Sequence, residues 1–399
     1  MEKQKNIPQL RFSEFKGNWG RKKIGEIGSI QMCKRIFTHQ TKESGDVPFY
    51  KIGTLGSLPD AYISKDLFNE YKSKYNYPQK GHTLITCSGT IGKCIQFDGN
   101  DSYYQDSNII WIDNNDVNVS NDFLFLLLSN YKWGKLNSTT ITRIYTNDLK
   151  VLQFYFPSPP EQQKIASLFT TIDQKISQLK RKKTLLEQYK KGVMQKIFSQ
   201  EIRFKDDNGQ EFPKWEKKRL GELTYKTGKK NKDSNPYPIY SINNREGFLP
   251  QGDQFEGVDS NSRGYDISLY KIIDEKTFAY NPARINVGSI GFSAGLKDII
   301  ISSLYVCFKT KQGLEDVYLL QYLKTFQFNK SVLQNVEGGV RDYLFYENFS
   351  NIKINLPSNK EQLKIANFLS SIDDKINHAQ KQIDNAEVWK KGLMQQMFC

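Results

Sequence analysis

The sequence has few of the side chains that bind metal ions or form disulfide bridges. Its 399 residues include three scattered histidines and five cysteines, none of them in a C-x-x-C pair. Zinc sites need such side chains at short, regular spacings, and disulfide frameworks need them in even numbers. We therefore expect no metal site, no disulfide framework and a reducing, cytoplasmic environment.

Long apolar runs are also missing. The longest clean apolar run covers residues 123–128, whereas a membrane-spanning helix needs about 20 apolar residues. The first residues, Met1-Glu-Lys-Gln-Lys-Asn, are not followed by the apolar stretch of a secretory signal. We expect neither a membrane span nor export.

The motifs of nucleotide-binding and methyl-transferring enzymes are absent as well. No glycine-rich loop ends in G-K-[ST], and Gly291-Phe-Ser-Ala-Gly295 lacks the acidic residue that follows in a dinucleotide fold. Ser158-Pro-Pro-Glu161 comes near the [DNS]-P-P-[YFW] motif of amino-methyltransferases, whose aromatic residue stacks on an extruded base. Glu161 cannot stack, and a helix capping box explains all four residues. We predict no catalytic residue and no bound cofactor.

Positive charge is present in excess. Basic residues outnumber acidic ones by 57 to 43, which gives a formal net charge of +14. That surplus favours a polyanionic partner such as nucleic acid. A chain of 399 residues is too long for one ordinary core, so we expect two or more domains.

An internal repeat predicts how those domains are arranged. Glu161-Gln-Gln-Lys-Ile-Ala recurs 200 residues later as Glu361-Gln-Leu-Lys-Ile-Ala, and Lys190-Lys-Gly-Val-Met recurs as Lys390-Lys-Gly-Leu-Met. We therefore predict two similar domains, 1–157 and 201–356, each followed by a helix, 158–200 and 357–399. The more distant matches are Arg11-Phe12 with Arg203-Phe204, Trp19 with Trp215, Gly25-Glu26 with Gly221-Glu222, and Pro48-x-Tyr50 with Pro238-x-Tyr240.

Both repeated segments predict long helices that begin at S-x-x-E capping boxes, residues 158–161 and 358–361. Apolar residues recur at 4-3 spacing along both, which is the pattern of a coiled coil. About 40 residues make a helix of roughly 60 Å. The predicted seam consists of Ile165, Phe169, Ile172, Ile176, Leu179, Leu186 and Val193 in the first helix, and Ile365, Leu369, Ile372, Ile376, Ile383 and Leu393 in the second.

Lysines and a glycine interrupt each helix. We expect the stems of Lys183, Lys190 and Lys390 to cover the seam while their ammonium groups reach water. A lock on the helix register, or a partner contact, is the alternative. Gly192 and Gly392 indicate points where a helix frays or another helix approaches closely.

Chain connectivity predicts the pairing. One compact domain joins the end of the first helix to the start of the second, so the helices, if they pair, are antiparallel. We predict an α+β fold: two similar mixed α/β domains separated by two long helices that form an antiparallel coiled coil, with pseudo-two-fold symmetry. Within the domains we predict strands over 107–112, 152–156, 301–308 and 352–356, and helices over 122–131 and 315–330.

These repeats carry a family resemblance. Two divergent domains, each closed by P-x-x-x-E-Q-x-K-I-A…I-D-x-K-I and then K-K-G-[VL]-M-Q, resemble the specificity subunit of a type I restriction-modification system over the whole chain. The resemblance implies that each target-recognition domain reads one half of a bipartite double-stranded DNA site. It implies that the helices serve as a spacer and as a platform for two methyltransferase (M) subunits, with restriction (R) subunits joining them. S-adenosylmethionine and ATP would then bind those partner subunits.

Candidate DNA-binding residues are basic, amide, hydroxyl and aromatic side chains in loops, because these groups contact phosphates and base edges. Gly92 aligns with Gly288, and Arg143-x-Tyr145 resembles Arg341-x-Tyr343. The candidates are Lys34, Arg35, Ser88, Thr90, Lys93, Arg143 and Tyr145 in the first domain, and Lys229, Lys230, Asn231, Asn244, Arg245, Arg284, Asn286, Arg341 and Tyr343 in the second.

Two other functions remain open from the sequence. The chain could be a self-contained DNA methyltransferase, which the missing cofactor motif argues against. It could also be a structural coiled-coil protein whose end domains bind RNA or protein. Co-purification with a methyltransferase subunit would discriminate among the three.

Overall fold

The computed structural model of the chain contains two compact units. The first consists of Met1–Lys180 and Lys381–Cys399, and the second is Arg181–Gln380. The structure describes residues 7–133, 143–244, 246–255, 257–336 and 343–398. No helix in these described ranges is long and apolar enough to cross a membrane.

The first unit contains three small sheets. A four-stranded antiparallel sheet has the order β2-β8-β5-β6, a three-stranded sheet has the order β4-β3-β7, and β1 pairs with β9. The strands are β1 (Gly20–Lys23), β2 (Ser29–Met32), β3 (Val47–Tyr50), β4 (Tyr62–Ile63), β5 (Thr83–Thr86), β6 (Cys94–Gln96), β7 (Tyr103–Tyr104), β8 (Ile109–Asp113) and β9 (Gln153–Phe156). The helices are α1 (Ile24–Ile27), α2 (Lys65–Lys74), α3 (Asn121–Asn130), α4 (Thr146–Val151) and the start of α5 (Pro159–Phe198).

The second unit repeats this topology, except that its second sheet has four strands instead of three. Its sheets have the orders β11-β18-β15-β16 and β13-β12-β17-β14, and β10 pairs with β19. The strands are β10 (Glu216–Arg219), β11 (Thr224–Thr227), β12 (Ile239–Asn243), β13 (Gly247–Pro250), β14 (Lys271–Ile273), β15 (Phe278–Tyr280), β16 (Ile290–Phe292), β17 (Ile299–Ile301), β18 (Val306–Thr310) and β19 (Lys353–Leu356). The helices are α6 (Leu220–Leu223), α7 (Gln251–Gln254), α8 (Asp316–Tyr322), α9 (Phe326–Asn335), α10 (Tyr346–Asn351) and the start of α11 (Asn359–Met397).

The position of strand β8 between two cores explains why its residues are apolar at successive positions instead of alternating with polar ones. Its side chains point alternately to the two faces of the sheet. Ile110 and Ile112 pack in the core that includes the long helices, whereas Ile109 and Trp111 pack in the core of the three-stranded sheet. Both faces are therefore buried, and a continuous Ile-Ile-Trp-Ile run satisfies both.

The predicted elements are confirmed except at two places. β8, β9, β19 and α3 fall where the sequence predicts them. The single strand predicted over 301–308 is wrong, because a turn in which Tyr305 N–H donates to the Ser302 carbonyl at 3.2 Å separates β17 from β18. The single helix predicted over 315–330 is wrong as well, because it ends at Tyr322 and restarts at Phe326 with Thr325 as its N-cap.

The long helices pair antiparallel within each unit. In the first unit Lys180 contacts Glu387, and Asp173 contacts Lys390. In the second unit Lys183 contacts Gln380, and Lys190 contacts Asp373. In both units, residue numbers along α5 thus increase in the direction in which residue numbers along α11 decrease. Every predicted seam residue, from Ile165 to Val193 and from Ile365 to Leu393, is buried or half-buried.

We expected the ammonium groups of the seam lysines to extend into water, but in the structure each of them has a partner on the other long helix. Lys190 Nζ donates to both carboxylate oxygens of Asp373 at 2.6 Å, and Lys390 Nζ donates to those of Asp173 at 2.6 and 2.8 Å. Lys183 Nζ donates to Gln380 Oε1 at 2.7 Å. Because the two ion pairs recur at equivalent repeat positions, they support the alternative expectation, a lock on the helix register.

The Glu-Gln pair of the repeated motif fastens each long helix to its domain. The buried carboxylate of Glu161 accepts two hydrogen bonds from Arg11, both at 2.7 Å, and one from Trp19 at 3.3 Å. Gln162 accepts from Ser120 N–H at 2.9 Å and donates to the Pro157 carbonyl at 2.9 Å. The capping-box role expected for Glu161 is thus replaced by a long-range anchor.

The second unit has the same anchor. Glu361 accepts from Arg203 at 3.1 and 2.8 Å and from Trp215 at 2.9 Å. Gln362 accepts from Glu315 N–H at 2.9 Å and donates to the Pro357 carbonyl at 2.9 Å. The matches of Arg11 with Arg203 and of Trp19 with Trp215 in the sequence therefore reflect one shared structural device.

Candidate nucleic-acid interface

In the first unit, the loop between β5 and β6 carries three candidates. Thr86 Oγ1 accepts from Lys93 N–H at 3.0 Å, and Ser88 Oγ donates to Asn108 Oδ1 at 2.8 Å. Thr90 is exposed and Lys93 is half-buried. Gly92 has a φ of +75°, and a Cβ there would lie 2.0 Å from the Trp133 ring. The loop conformation therefore requires glycine.

Arg143 and Tyr145 join this loop. Ser88 and Arg143 form an isolated antiparallel bridge, and Ile144 N–H donates to the Cys87 carbonyl at 2.8 Å. The Arg143 guanidinium lies 5.8 Å from the centre of the exposed Tyr145 ring and donates to the Ser107 carbonyl at 3.1 Å. The structure therefore brings two of the three candidate segments of the first domain onto one surface.

Lys34 and Arg35 follow β2 and are both exposed. Arg35 Nε donates to Asp106 Oδ2 at 2.8 Å, and Asp106 precedes Ser107, which accepts from Arg143. The two arginines are thus held by neighbouring residues of one loop. Lys34 lies over the Tyr75 ring, 5.4 Å from its centre.

Lys229 and Lys230 occupy the same position in the second unit, after β11, and are exposed. Asn231 does not belong to this surface. It is 1% exposed, its amide donates to the Asn235 carbonyl at 3.0 Å, and its Oδ1 accepts from Asn235 N–H at 3.1 Å. Asn231 closes a turn, so its side chain is not available to a base edge.

Lys271 lies beside these lysines. Lys230 and Lys271 form an isolated bridge. Burial, together with the positive charges of Lys226 and Lys230, lowers the pKa of Lys271 below its ordinary value. Its position gives this edge of the second unit a concentration of positive charge.

Arg284 and Asn286 lie in the loop between β15 and β16, the counterpart of the Ser88–Lys93 loop, and both are exposed. Gly288, with a φ of +90°, stands two residues before β16 as Gly92 stands before β6. Asn244 and Asn286 line one groove of about 480 Å³, together with Glu246, a residue that the sequence interpretation missed. Arg245 and Arg341 lie outside the described residues.

Tyr343 is half-buried and stacks on Phe345, with ring centres 5.7 Å apart. Leu344 N–H donates to the Pro282 carbonyl at 3.1 Å, as Ile144 does to Cys87. The structure therefore aligns Tyr343 with Arg143 and Phe345 with Tyr145, and the match of Tyr343 with Tyr145 is wrong. The spacing of 200 residues in the helix motifs already contained this alignment.

The thiols next to the first loop are not reactive groups. Burial raises the pKa of Cys87 to about 12 and that of Cys94 to about 12. Reactive cysteines have depressed values instead. Among the described residues, no group of three or more His, Cys, Asp or Glu side chains could hold a metal ion.

Comparisons with known proteins agree with this architecture. The family model described as type I restriction modification DNA specificity domain matches residues 16–188 and 213–387. A protein assigned as a type I restriction enzyme specificity subunit in Haemophilus influenzae is 49% identical over 158 residues, 39% of this chain and 41% of that protein. One assigned as the MjaX specificity subunit in Methanocaldococcus jannaschii is 24% identical over 98% of this chain and 95% of its own length.

The fold is also found in a solved structure. The S subunit of a type I restriction-modification system from M. genitalium superposes with a TM-score of 0.60 at 16% identity, covering 98% of this chain and 99% of that one. At this identity the likeness concerns the fold alone. The two family matches each cover one domain and most of its long helix, so the chain belongs to the type I restriction-modification DNA specificity family and is a specificity subunit with two repeated domains.

Proposed function

We propose that this chain reads both halves of a bipartite double-stranded DNA target, one half with each unit, and supplies no catalytic group itself. The observation that carries this proposal is the pair of equivalent surfaces. Both units present a β-hairpin loop joined to the segment before a short helix, in the same sheet order. The side chains on the two surfaces differ, as Arg143 and Tyr145 do from Tyr343 and Phe345.

The surface residues divide by the contact that their chemistry favours. Exposed lysines such as Lys34, Lys229 and Lys230 suit phosphates, which position the protein without reading sequence. Asn244 and Asn286 suit adenine, to which an amide can bond twice, and Arg284 suits guanine. Arg35 is already paired with Asp106, so it favours positioning over readout.

The partners in this proposal are two methyltransferase subunits and, where present, restriction subunits. S-adenosylmethionine and ATP would bind to those partners. Glu161, the residue in the place of the catalytic aromatic, is buried in an ion pair with Arg11, which supports a structural role. Neither alternative, a self-contained methyltransferase or a structural coiled-coil protein, is favoured by the family match.

The experiment is methylation sequencing of cells that express the methyltransferase subunit with or without this chain. We expect adenine methylation at one bipartite site only when both are present. As a matched pair of variants, Asn286→Ala should relax one specified base, whereas Asn231→Ala, at a turn, should lower stability and leave the site unchanged. Methylation by the purified chain alone would contradict the proposal.

A further inference from the structure

One acidic residue lies among the candidate DNA-binding residues of the second unit. Glu246, at the tip of the hairpin formed by β12 and β13, is exposed and lines the groove of about 480 Å³ with Asn244 and Asn286. Lys324 lines the same groove, yet among the described residues neither it nor any other lysine or arginine forms an ion pair with the Glu246 carboxylate. The carboxylate can therefore accept hydrogen bonds from a molecule outside the chain.

Contacts between this hairpin and the loop that joins β15 to β16 hold the tip in place. Ser289 Oγ, in that loop, donates to the Ile242 carbonyl of β12 at 3.2 Å. Gly247 has a φ of +78° and lies so close to β16 that a Cβ there would be 3.2 Å from the Cα of Gly291. The acidic residue and the amides of the groove thus lie on two loops that pack against each other, which gives them a defined spacing.

The negative charge of Glu246 restricts what it can contact on DNA. Phosphates repel an ionised carboxylate, and such a group accepts hydrogen bonds but has none to donate. In the major groove the donors are the amino groups N4 of cytosine and N6 of adenine. Adenine also presents the acceptor N7 beside N6, which would repel the carboxylate, whereas cytosine itself presents no acceptor there. Cytosine is therefore the base that fits this residue.

We propose that Glu246 is a specificity-determining residue, whose carboxylate accepts a hydrogen bond from the N4 amino group of a cytosine in the half-site of the second unit. This inference rests on the proposed function and adds the identity of one base to it. Guanine presents the acceptors N7 and O6 in the major groove, and thymine presents the acceptor O4 and a methyl group. The carboxylate thus selects cytosine by attraction and rejects the other bases by repulsion.

The first unit differs at the equivalent position. The loop between β3 and β4 corresponds to the hairpin tip, because β3 and β12 occupy the same place in their sheets. This loop also approaches the neighbouring hairpin loop, since a Cβ on Gly89 would lie 3.5 Å from Ile52 Cγ2. Its one acidic residue, Asp60, pairs with Lys51 at 3.2 Å. The cytosine contact therefore belongs to the second half of the target alone.

The experiment is methylation sequencing of cells that express the methyltransferase subunit with the wild-type chain or with a Glu246 variant. The half-site of the second unit is the half that changes when residues 201–356 are exchanged, and the wild-type chain should require a C·G pair at one position there. Glu246→Ala should raise methylation of sites with another base pair at that position at least about fivefold. Glu246→Gln should admit adenine, since an amide can bond to both N6 and N7. The other half-site should stay unchanged in both.

Glu275→Gln provides the matched control. Glu275 is exposed as well, but it precedes β15, at the opposite end of that strand from the loop that lines the groove. This variant should methylate the same site as the wild-type chain. Fluorescence anisotropy of the assembled complex gives a second measurement. The wild-type chain should bind a duplex with cytosine at that position at least about fivefold more tightly than one with thymine, and Glu246→Ala should bind the two about equally.

The possible outcomes separate this inference from the proposed function. A wild-type chain that directs no methylation to a bipartite site would overturn both together. A Glu246→Ala variant that keeps every specified base, or that relaxes a position other than a C·G pair, would overturn this inference alone. If that variant supports no methylation, discrimination between the two duplexes equal to that of the wild-type chain would overturn it as well.

Discussion

At the scale of single residues, the chain depends on a few buried charges with defined partners. Glu361 has a fully buried side chain and accepts from Arg203 and Trp215. An ion pair between Lys226 and Glu347, in the same unit, is exposed on both sides. Breaking a buried pair leaves a charge without its partner in a poorly solvated place, whereas an exposed pair is replaced by water.

We therefore predict that Glu361→Gln lowers the free energy of unfolding of the second unit by about 3 kcal/mol. The control Glu347→Gln should lower it by less than about 1 kcal/mol. Urea denaturation followed by tryptophan fluorescence would measure both, since Trp215 contacts Glu361 directly. Equal losses for the two variants would show that the anchor has no special role.

His82 makes the free energy of unfolding of the first unit depend on pH. Burial lowers the pKa of His82 below its ordinary value of 6.5, and Asp113 opposes that shift only in part. Its Nδ1 accepts from Gln79 N–H at 3.1 Å, which requires the neutral ring. The folded protein binds a proton on His82 more weakly than the unfolded protein does. The free energy of unfolding is therefore highest above the ordinary pKa of 6.5 and decreases below it.

The free energy of unfolding should thus fall as the pH drops from about 7 to about 5.5. His82→Gln should remove part of that slope, while His39→Gln, at an exposed position, should leave it unchanged. Denaturation curves at several pH values test this. An unchanged slope in His82→Gln would contradict the assignment.

At the scale of elements, the long helices combine an apolar seam with two Lys–Asp ion pairs, which we expect to lock the helix register. Coiled-coil seams of similar apolar residues allow slippage, and a buried polar pair penalises every register but one. Lys190 and Asp373 are more buried than Lys390 and Asp173, and Asp373 also accepts from Gln321 at 3.0 Å. The lock of the second unit therefore operates in the lower dielectric.

Double-mutant cycles should give a coupling free energy of about 1–2 kcal/mol for Lys190 with Asp373 and about 0.5–1 kcal/mol for Lys390 with Asp173. The half-exposed i,i+4 pair of Lys183 and Glu187 should give at most about 0.5 kcal/mol. A coupling for Lys190 no larger than that of this surface pair would argue against a register lock.

At the scale of the whole molecule, the repeated topology implies independent readers. Each unit has its own cores and its own equivalent surface. Exchanging residues 201–356 for the matching domain of a related protein should change one half of the methylated site and leave the other half intact. Methylome sequencing measures this, and a change in both halves would contradict independent reading.

The net charge is also a property of the whole molecule, and it affects binding to DNA. A surplus of +14, with exposed lysines in both units, should neutralise several phosphates and release their counterions. We predict that affinity for duplex DNA falls at least about tenfold between 50 and 200 mM salt. Fluorescence anisotropy with the assembled complex would measure the slope. A flat response would exclude duplex DNA as the main ligand.

The sequence by itself determined the local features of this protein. The two long helices follow from heptads read over neighbouring residues, and the division into halves follows from motifs repeated 200 residues apart. The family also follows from those motifs. Helical periodicity depends on residues three and four apart, so no tertiary contact is needed to recognise it.

Only the tertiary structure decided which distant residues meet. It shows that the side chain of Glu161 pairs with Arg11 instead of capping the helix. It places Asn231 in a turn, and it aligns Tyr343 with Arg143 rather than with Tyr145. The four-stranded sheet that carries the β-hairpin loop keeps one strand order in both domains with almost no shared sequence, because a sheet requires burial on its faces rather than particular residues. Contacts between residues far apart in the chain depend on that three-dimensional packing, and no local pattern contains them.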